Sequence, residues 1–482
     1  VRKAPAAAAI LSALLAAAGC VVGPAYERPA LPEAEDFRFR TEGVQSAADL
    51  AWWERFDDPA LDALIAEALA SNLDVRIAAS RVEEFAARIG VTRSAAFPQV
   101  GYDAAAARSQ RSRELGVGAA AGPRVSEFFE ANLSASWEID LFGRIRRLAD
   151  AAVADALAAE EARRGLILSL VSSVATSYIA LRSLDEQLEI SRRKLATREQ
   201  TVDLFERQRA RGVISELELA QIRSELERVA ATIPAIERDI ATLENALSVL
   251  LGRPPSDIAR GRTLRQLRTP PVPAGLPSDL LLRRPDLREA ELRVIAATER
   301  VGVAVADFYP RFALTAAFGF ASDDLSNLFQ TSANQWSLAA GLLGPIFTAG
   351  FLENQLGAAE AIERQTIDAY RAALLTALRE AEDALVARAT TIDQAGAQSR
   401  QVEQLDRYAR LAQRRYDEGI VGYLEVLDAE RDLFDAELEQ ARLRASLLAA
   451  HVALYKAFGG GWVALAEELA EAPPPPAATP AR

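Results

Sequence analysis

The 482-residue chain contains no methionine, one cysteine and one histidine, and only 7% of it is aromatic. Each scarcity removes a class of function. Cys20, alone, can form no disulfide within the chain. His451 is the only histidine, and there is no phosphate-binding loop and no metal-spaced cluster. Neither a nucleophilic triad nor a zinc centre therefore has its parts, and the sequence offers no catalytic and no metal residue. His451 falls in a helical pattern and reads as a packed or lumenal helix residue. Positive charge is short as well: a formal charge of −13 argues against nucleic acid, whose phosphates demand basic patches. With no methionine, Val1 reads as an alternative start codon or as a residue downstream of the true start, which has no bearing on function.

What is present begins with the N-terminus. Arg2 and Lys3 precede an uncharged run from Ala4 to Gly19, the layout of a secretory signal and too short to span a bilayer comfortably. The run ends in Ala17-Ala18-Gly19-Cys20, which resembles the bacterial lipobox. Residues 1–19 are then a signal peptide. Cys20 is a lipidation site carrying diacylglycerol and an N-acyl chain, several chains together anchoring stably where one would not. No other cofactor is expected. Residues 20–58 read as a lipidated, extended N-terminal segment.

The rest is duplicated. "DVRIAASRVEEFAARIGVTRSAAFPQV" at 74–100 aligns with "DLREAELRVIAATERVGVAVADFYPRF" at 286–312, and "RQRARGVISELE" at 207–218 aligns with "RRYDEGIVGYLE" at 414–425. The near-constant offset implies an internal two-fold repeat. Residues 59–252 form the first copy: a helix over 59–95, strands near 98–108 and 128–141, and helices over 143–211 and 215–252. Residues 285–461 form the second: a helix over 285–307, strands near 310–322 and 335–346, and helices over 350–418 and 423–458. The proline-rich 253–284 reads as a surface linker, and 462–482 as a tail that is disordered at its end.

In the strands the period is two. Phe129, Ala131, Leu133, Ala135, Trp137 and Ile139 alternate with Glu130, Asn132, Ser134, Ser136, Glu138 and Asp140. In the second copy Phe312, Leu314, Ala316, Phe318 and Phe320 share a face, and Trp336, Leu338, Ala340 and Leu342 follow at the same spacing. At roughly 10 residues each, these segments have the length a tilted strand needs to cross a bilayer. Four strands cannot close a membrane barrel, and an open edge is not tolerated in lipid. The barrel must be shared between copies, two giving eight strands and three giving twelve, and the pattern does not choose between them.

The long helices set the other dimension. About 69 proline-free residues from Gly143 and again from Gly350 reach roughly 100 Å at 1.5 Å each. Ser215 with Glu218 forms a capping box that starts a return helix after the Gly212 turn. Pro234 predicts a kink in that helix. The uncharged run Leu166–Leu181 falls short of about 20 residues and reads as the buried part of a helical hairpin rather than a membrane span.

Five motifs, in order, carry a resemblance: "CVVGPAYERP" (20–29), "WWERFDDPALDALIAEAL" (52–69), "SWEIDLFGRIRR" (136–147), "GLPSDLLLRRPDLREAE" (275–291) and "GPIFTAG" (344–350). From Cys20 to about Gly461 the chain resembles the outer-membrane factor family of tripartite efflux pumps and type I secretion, the TolC/OprM/NodT group, and within it the lipoprotein branch. The resemblance implies a mostly α protein with a membrane β-barrel: a homotrimer with a 12-stranded barrel, four strands from each protomer, continued by a long periplasmic α-helical barrel. It implies a location in the cell outer membrane, lipid-anchored and barrel-inserted. The partners implied are outer-membrane lipid, a periplasmic adaptor (membrane fusion protein) and an inner-membrane pump of the RND type. The function implied is passive, gated export of drugs or other small molecules. The alternatives are an exit duct for type I secretion and a structural coiled-coil lipoprotein, which would leave the strands unexplained.

Matched through the Gly212 and Gly419 turns, the family's periplasmic gate falls on Glu218, Glu425 and Asp428, with Tyr416 as the gate tyrosine. The arginine that can lock such a tip is Val421 here. Like carboxylates gathered around an axis favour cations. The two turns, with Gly212, Val213 and Ile214 in one and Gly419, Ile420, Val421 and Tyr423 in the other, place apolar residues where solvent is expected, which marks a contact. By the resemblance the partner there is the adaptor's helical hairpin.

Overall fold

The structure, a computed structural model, describes residues 21–29, 51–112, 114, 125–270, 283–459 and 466. The signal peptide, Cys20 and nearly all of the 462–482 tail lie outside the described residues.

From the helix before its first strand onward, each half follows the same order. In the first, α1 (Pro59–Ser71) and α2 (Leu73–Ser94) lead into β1 (Gln99–Gln110), β2 (Val125–Ile139), α3 (Arg144–Ala210) and α4 (Glu216–Leu250). In the second, α5 (Pro285–Ala306) leads into β3 (Arg311–Ser322), β4 (Asn334–Leu343), α6 (Phe351–Asp417) and α7 (Tyr423–Ala457). Helices α3 and α6 are both 67 residues long, and α4 and α7 both 35. Pro234 sits inside an unbroken α4.

The helix expected over 59–95 is two helices. Asn72 adopts an extended conformation between them, accepts a bond from Val75 N with its Oδ1 (3.1 Å) and donates its Nδ2 to the Leu250 carbonyl (2.9 Å). A short amide that caps one helix and satisfies the end of another competes successfully with helix continuation.

The chain forms two compact units, each drawing on both repeats. The first comprises the N-terminal segment, Arg81–Ala159 and Glu289–Tyr370. It holds an antiparallel sheet in the order β1-β2-β3-β4. Pairing places Tyr102, Leu133, Phe318 and Trp336 in one row, with Val100, Ala135, Ala316 and Leu338 in the next row on that face. Tyr102 is 86% exposed and Trp336 75%, so among the described residues nothing covers these two rows. On the opposite face Asp103, Asn132, Gly319 and Gln335 form a row. There Asn132 donates to Asp103 (3.2 Å) and accepts from Gln335 Nε2 (3.1 Å). Gly319 makes this possible, since a Cβ there would collide with the Ala131 carbonyl oxygen and Asn132 Oδ1. Among the described residues the outer edges of β1 and β4 have no paired strand.

The apolar stripe of β2 runs from Ile139 to Phe129 and then stops. The next residue on that face is Glu127, ion-paired with Arg108 at 3.2 Å. Residues 21–29 also pack in this unit: Val22 N donates to the Phe142 carbonyl (3.2 Å), and Tyr26 and Arg28 both donate to Glu291 (2.9 and 2.6 Å).

The second unit comprises Leu31–Ser80, Glu160–Arg288 and Arg371–Arg482. Its main core corrects two expectations. The end of the 20–58 segment is not extended. Trp52–Phe56 is a 3-10 turn whose Trp52, Trp53 and Phe56 are almost fully buried, with Trp52 stacked on Tyr455 at 5.5 Å. Nor is the described part of the 253–284 linker merely surface: Ile258, Leu264 and Leu267 enter the same core. Burying these side chains recovers free energy that an exposed linker would forgo. The uncharged run of α3 packs here through Ile167, Val171, Val174 and Tyr178. It is the one described helix long and apolar enough to cross a membrane, and its burial explains its composition. His451 is 2% exposed, its Nδ1 2.8 Å from the Leu447 carbonyl, and its Nε2 accepts from Arg388 Nε.

Candidate functional site

The two hairpin turns are built alike. At Gly212 (φ +75°) and Gly419 (φ +71°) the backbone enters the left-handed region that favours glycine. A Cβ at either would meet nothing, so backbone conformation alone explains the residue. Val213 N donates to Gln208 O and Gly212 N to Arg209 O, at 3.0 and 2.9 Å; Ile420 N donates to Arg415 O and Gly419 N to Tyr416 O, at 2.9 and 2.8 Å. Both turns are Schellman closures.

The return helices start differently. The expected capping box is present at Ser215, whose Oγ accepts from Glu218 N (3.2 Å) while Glu218 Oε2 accepts from Ser215 N (2.7 Å). These bonds from the Ser215 backbone and hydroxyl hold the Glu218 carboxyl below its ordinary range. In the second turn Gly422 is the N-cap and offers no side chain. Glu425 instead takes Arg415 Nη1 at 2.7 Å, and Asp428 pairs with Arg431 at 3.1 Å. Within one chain the three acids each have a separate partner, and among the described residues no bond joins them to one another.

Tyr416 is half-buried in an aromatic cluster, 5.0 Å from Tyr423 and 6.3 Å from Phe205 between ring centroids. Burial, then the nearby Glu218 charge, raises its phenol above the ordinary value. Tyr423, expected at the exposed tip, is 6% exposed. Its ring lies 4.4 Å from Phe205, and burial pushes its phenol up to about 12. It is part of the hairpin core because α3 supplies an aromatic partner across the bundle. Ile214 and Val421 are partly covered, whereas Val213 (69%) and Ile420 (62%) stand free. Leu217 (69%) and Leu424 (54%) stand free beside them. The sequence reading did not single out these leucines, although they follow Val213 and Ile420 by one helical turn, a spacing that could have disclosed them.

A sheet with a bare apolar face, combined with paired hairpins of this length, defines the helical-duct class of outer-membrane proteins. The chain belongs to the outer membrane efflux protein family, whose sequence model matches residues 64–253 and 276–460, once in each repeat. It is 37% identical over 458 residues to the solvent efflux pump outer membrane protein SrpC of Pseudomonas putida, covering 93% of this chain and 97% of that one. To the cation efflux system protein CusC of Escherichia coli O6:H1 it is 35% identical over 456 residues, with the same coverage of each chain. Among solved structures, the open state of the Neisseria gonorrhoeae MtrE outer membrane channel is similar with a TM-score of 0.83 at 32% identity, over 92% of this chain and 99% of MtrE.

Proposed function

We propose that this protein is the outer-membrane channel of a tripartite efflux pump, giving small molecules a passive, gated path from the periplasm to the exterior. The observation that carries the reading is the unclosed sheet. Its face bears Tyr102, Leu133, Phe318 and Trp336 exposed, and among the described residues its edges are unpaired. Lipid accepts the apolar face, but unpaired backbone groups must find strands from other copies. Three copies close a 12-stranded barrel, with the Asp103-Asn132-Gln335 row turned to the lumen. The chain is not an enzyme; it makes and breaks no bond, and transport energy comes from an inner-membrane pump of the RND type.

Cys20 carries the lipid. The bond from Val22 N to the Phe142 carbonyl holds the following chain three residues beyond the end of β2, close to where acyl chains would enter the bilayer. At the hairpin turns the free Val213, Leu217, Ile420 and Leu424 side chains suit a periplasmic adaptor. Glu425 and Asp428, with their counterparts in the other copies, form the acidic gate.

Two measurements on detergent-purified protein test this. Light scattering should give the mass of three chains, and a planar bilayer should show stepwise ion current. A monomer without current refutes the reading.

A further inference from the structure

The two strand hairpins end differently. On the apolar face β2 keeps its stripe from Ile139 to Phe129. That is roughly 34 Å of strand at about 3.4 Å per residue, and at a tilt of about 40° it spans the roughly 25 Å of an outer-membrane apolar band. Pairing sets Phe129 beside Ser322 at the far end of the band, and Ala131, Phe320 and Asn334 side by side one row in. Beyond Phe129 the first hairpin turns polar, with Arg108 paired to Glu127 and Ser109 hydrogen-bonded to Ser126.

The second hairpin does not. Strand β4 starts at Asn334, so it offers an amide in the row where its neighbours place Ala131 and Phe320, and the pairing ends there. The loop between β3 and β4 supplies what the strand omits. Phe329 sets its ring against Phe320, with centroids 5.7 Å apart and planes at 67°, and Phe320 in turn meets Phe318 at 6.0 Å. The ring therefore extends the apolar face and not the opposite one, which carries Asn132 and Gln335. It is held there bare, 73% exposed.

The loop is built to hold it so. Asp324 Oδ1 accepts from Ser326 N (2.8 Å) and Ser326 Oγ (2.7 Å), which starts a 3-10 turn over Leu325–Asn327. Asn327 Oδ1 accepts from Gln330 Nε2 (2.8 Å), and a second 3-10 turn, Thr331–Ala333, returns the chain to β4. Leu328 closes the loop from inside, 6% exposed. A phenyl ring presented outward gains nothing from water, whereas hydrocarbon rewards its burial.

We propose that the β3–β4 loop is a lipid anchor, with Phe329 seated among acyl chains at the outer boundary of the bilayer and the loop drawn to the lipid side of the barrel, off the mouth through which solute leaves. The proposal rests on the channel reading. Continuity names the occupant, because the ring contacts run unbroken from Phe318 in the band to Phe329. Since the first hairpin ends in polar pairs, each chain carries one such anchor, and three copies hold the barrel at three points.

The test places p-benzoylphenylalanine, a photoreactive analogue of phenylalanine, at position 329 of the full chain in cells. The same replacement at Trp336, in the band, and at Asp323, in the exposed part of the loop, gives the references. Illumination followed by intact-mass spectrometry of the purified protein reads which partner is captured. Lipid adduct at 329 should approach the yield at Trp336 and exceed that at Asp323 about tenfold, as the partition of a phenyl ring into hydrocarbon requires. A yield no greater than at Asp323 overturns the anchor. So does capture of a second copy of the chain, which makes the ring part of a contact between protomers. In both cases lipid captured at Trp336 leaves the channel reading standing, and no lipid at Trp336 sinks that reading and the anchor with it.

Discussion

Phe205 and Tyr423 meet with ring centroids 4.4 Å apart and planes tilted by 49°, joining the first repeat's long helix to the start of the second repeat's return helix. Tyr416 completes the group from α6. The repeat-equivalent positions of Phe205, Tyr416 and Tyr423 are Ala412, Arg209 and Glu216, and there Arg209 and Glu216 form an exposed ion pair at 3.2 Å. A well-packed aromatic cluster is worth more than an exposed ion pair, and it joins α3 to α7 across the two hairpins, whereas Arg209 and Glu216 both belong to the first hairpin and the counterpart of the Phe205–Tyr423 contact would set Ala412 beside Glu216.

Replacing Phe205 by Ala should cost about 3–5 kcal/mol of stability, as for other buried aromatic residues. Thermal unfolding in detergent measures the loss. Ion current should show more frequent opening, because Tyr416 and Tyr423 lose their shared partner.

Cation preference should fall when Glu425 and Asp428 are neutralised together as Gln and Asn. Reversal potentials in a salt gradient report this directly, and values equal to the wild type's would dismiss an acidic constriction. Glu218→Ala should do less to selectivity and more to stability, because that carboxylate accepts from the Ser215 N–H and so caps α4; caps contribute about 1 kcal/mol.

Cys20→Ser should abolish palmitate labelling while leaving barrel assembly intact. Metabolic labelling followed by electrophoresis decides it, and label retained on the variant would exclude Cys20 as the attachment point.

Asp62 supplies a pH effect. Burial, and then the charges of Glu54, Asp58 and Asp57, raise its carboxyl to about 6, and its Oδ1 has no hydrogen-bond partner among the described residues. Unfolded, it titrates near the ordinary value of about 4. Between about pH 4 and pH 6 the folded chain therefore binds more protons than the unfolded one, and this group's contribution to stability falls as pH rises through that window. Asp62→Asn should remove that slope, read as the thermal midpoint at pH 4.5 and pH 7.

The strands were legible because a period of two survives without knowledge of neighbours. The expected β2 of 128–141 became Val125–Ile139, an error at the ends, where pairing with β1 at Val125 and with β3 at Ile139, rather than side-chain alternation, decides the limit. The Gly212 and Gly419 turns and the Ser215 cap could be read for the same reason: they depend on a few consecutive residues. Contacts distant in sequence could not. Lys194 and Glu430 are 236 residues apart, and each looks like part of a solvated helix face until the fold brings them together. Tyr423 misled similarly, since its place beside a turn hides the ring that covers it. Ile258, Leu264 and Leu267 were concealed by the prolines around them, which signal irregular backbone and say nothing about burial.

The β2 stripe halts at Phe129 and gives way to the Arg108–Glu127 pair. Both strands continue beyond the apolar stripe, β1 to Gln110 and β2 from Val125, so in the proposed barrel the described end of this hairpin carries polar pairs, Arg108 with Glu127 and Ser109 with Ser126, where the stripe no longer calls for lipid. In the proposed orientation this end meets water rather than acyl chains, so the ion pair sets the upper limit of the band that lipid must cover.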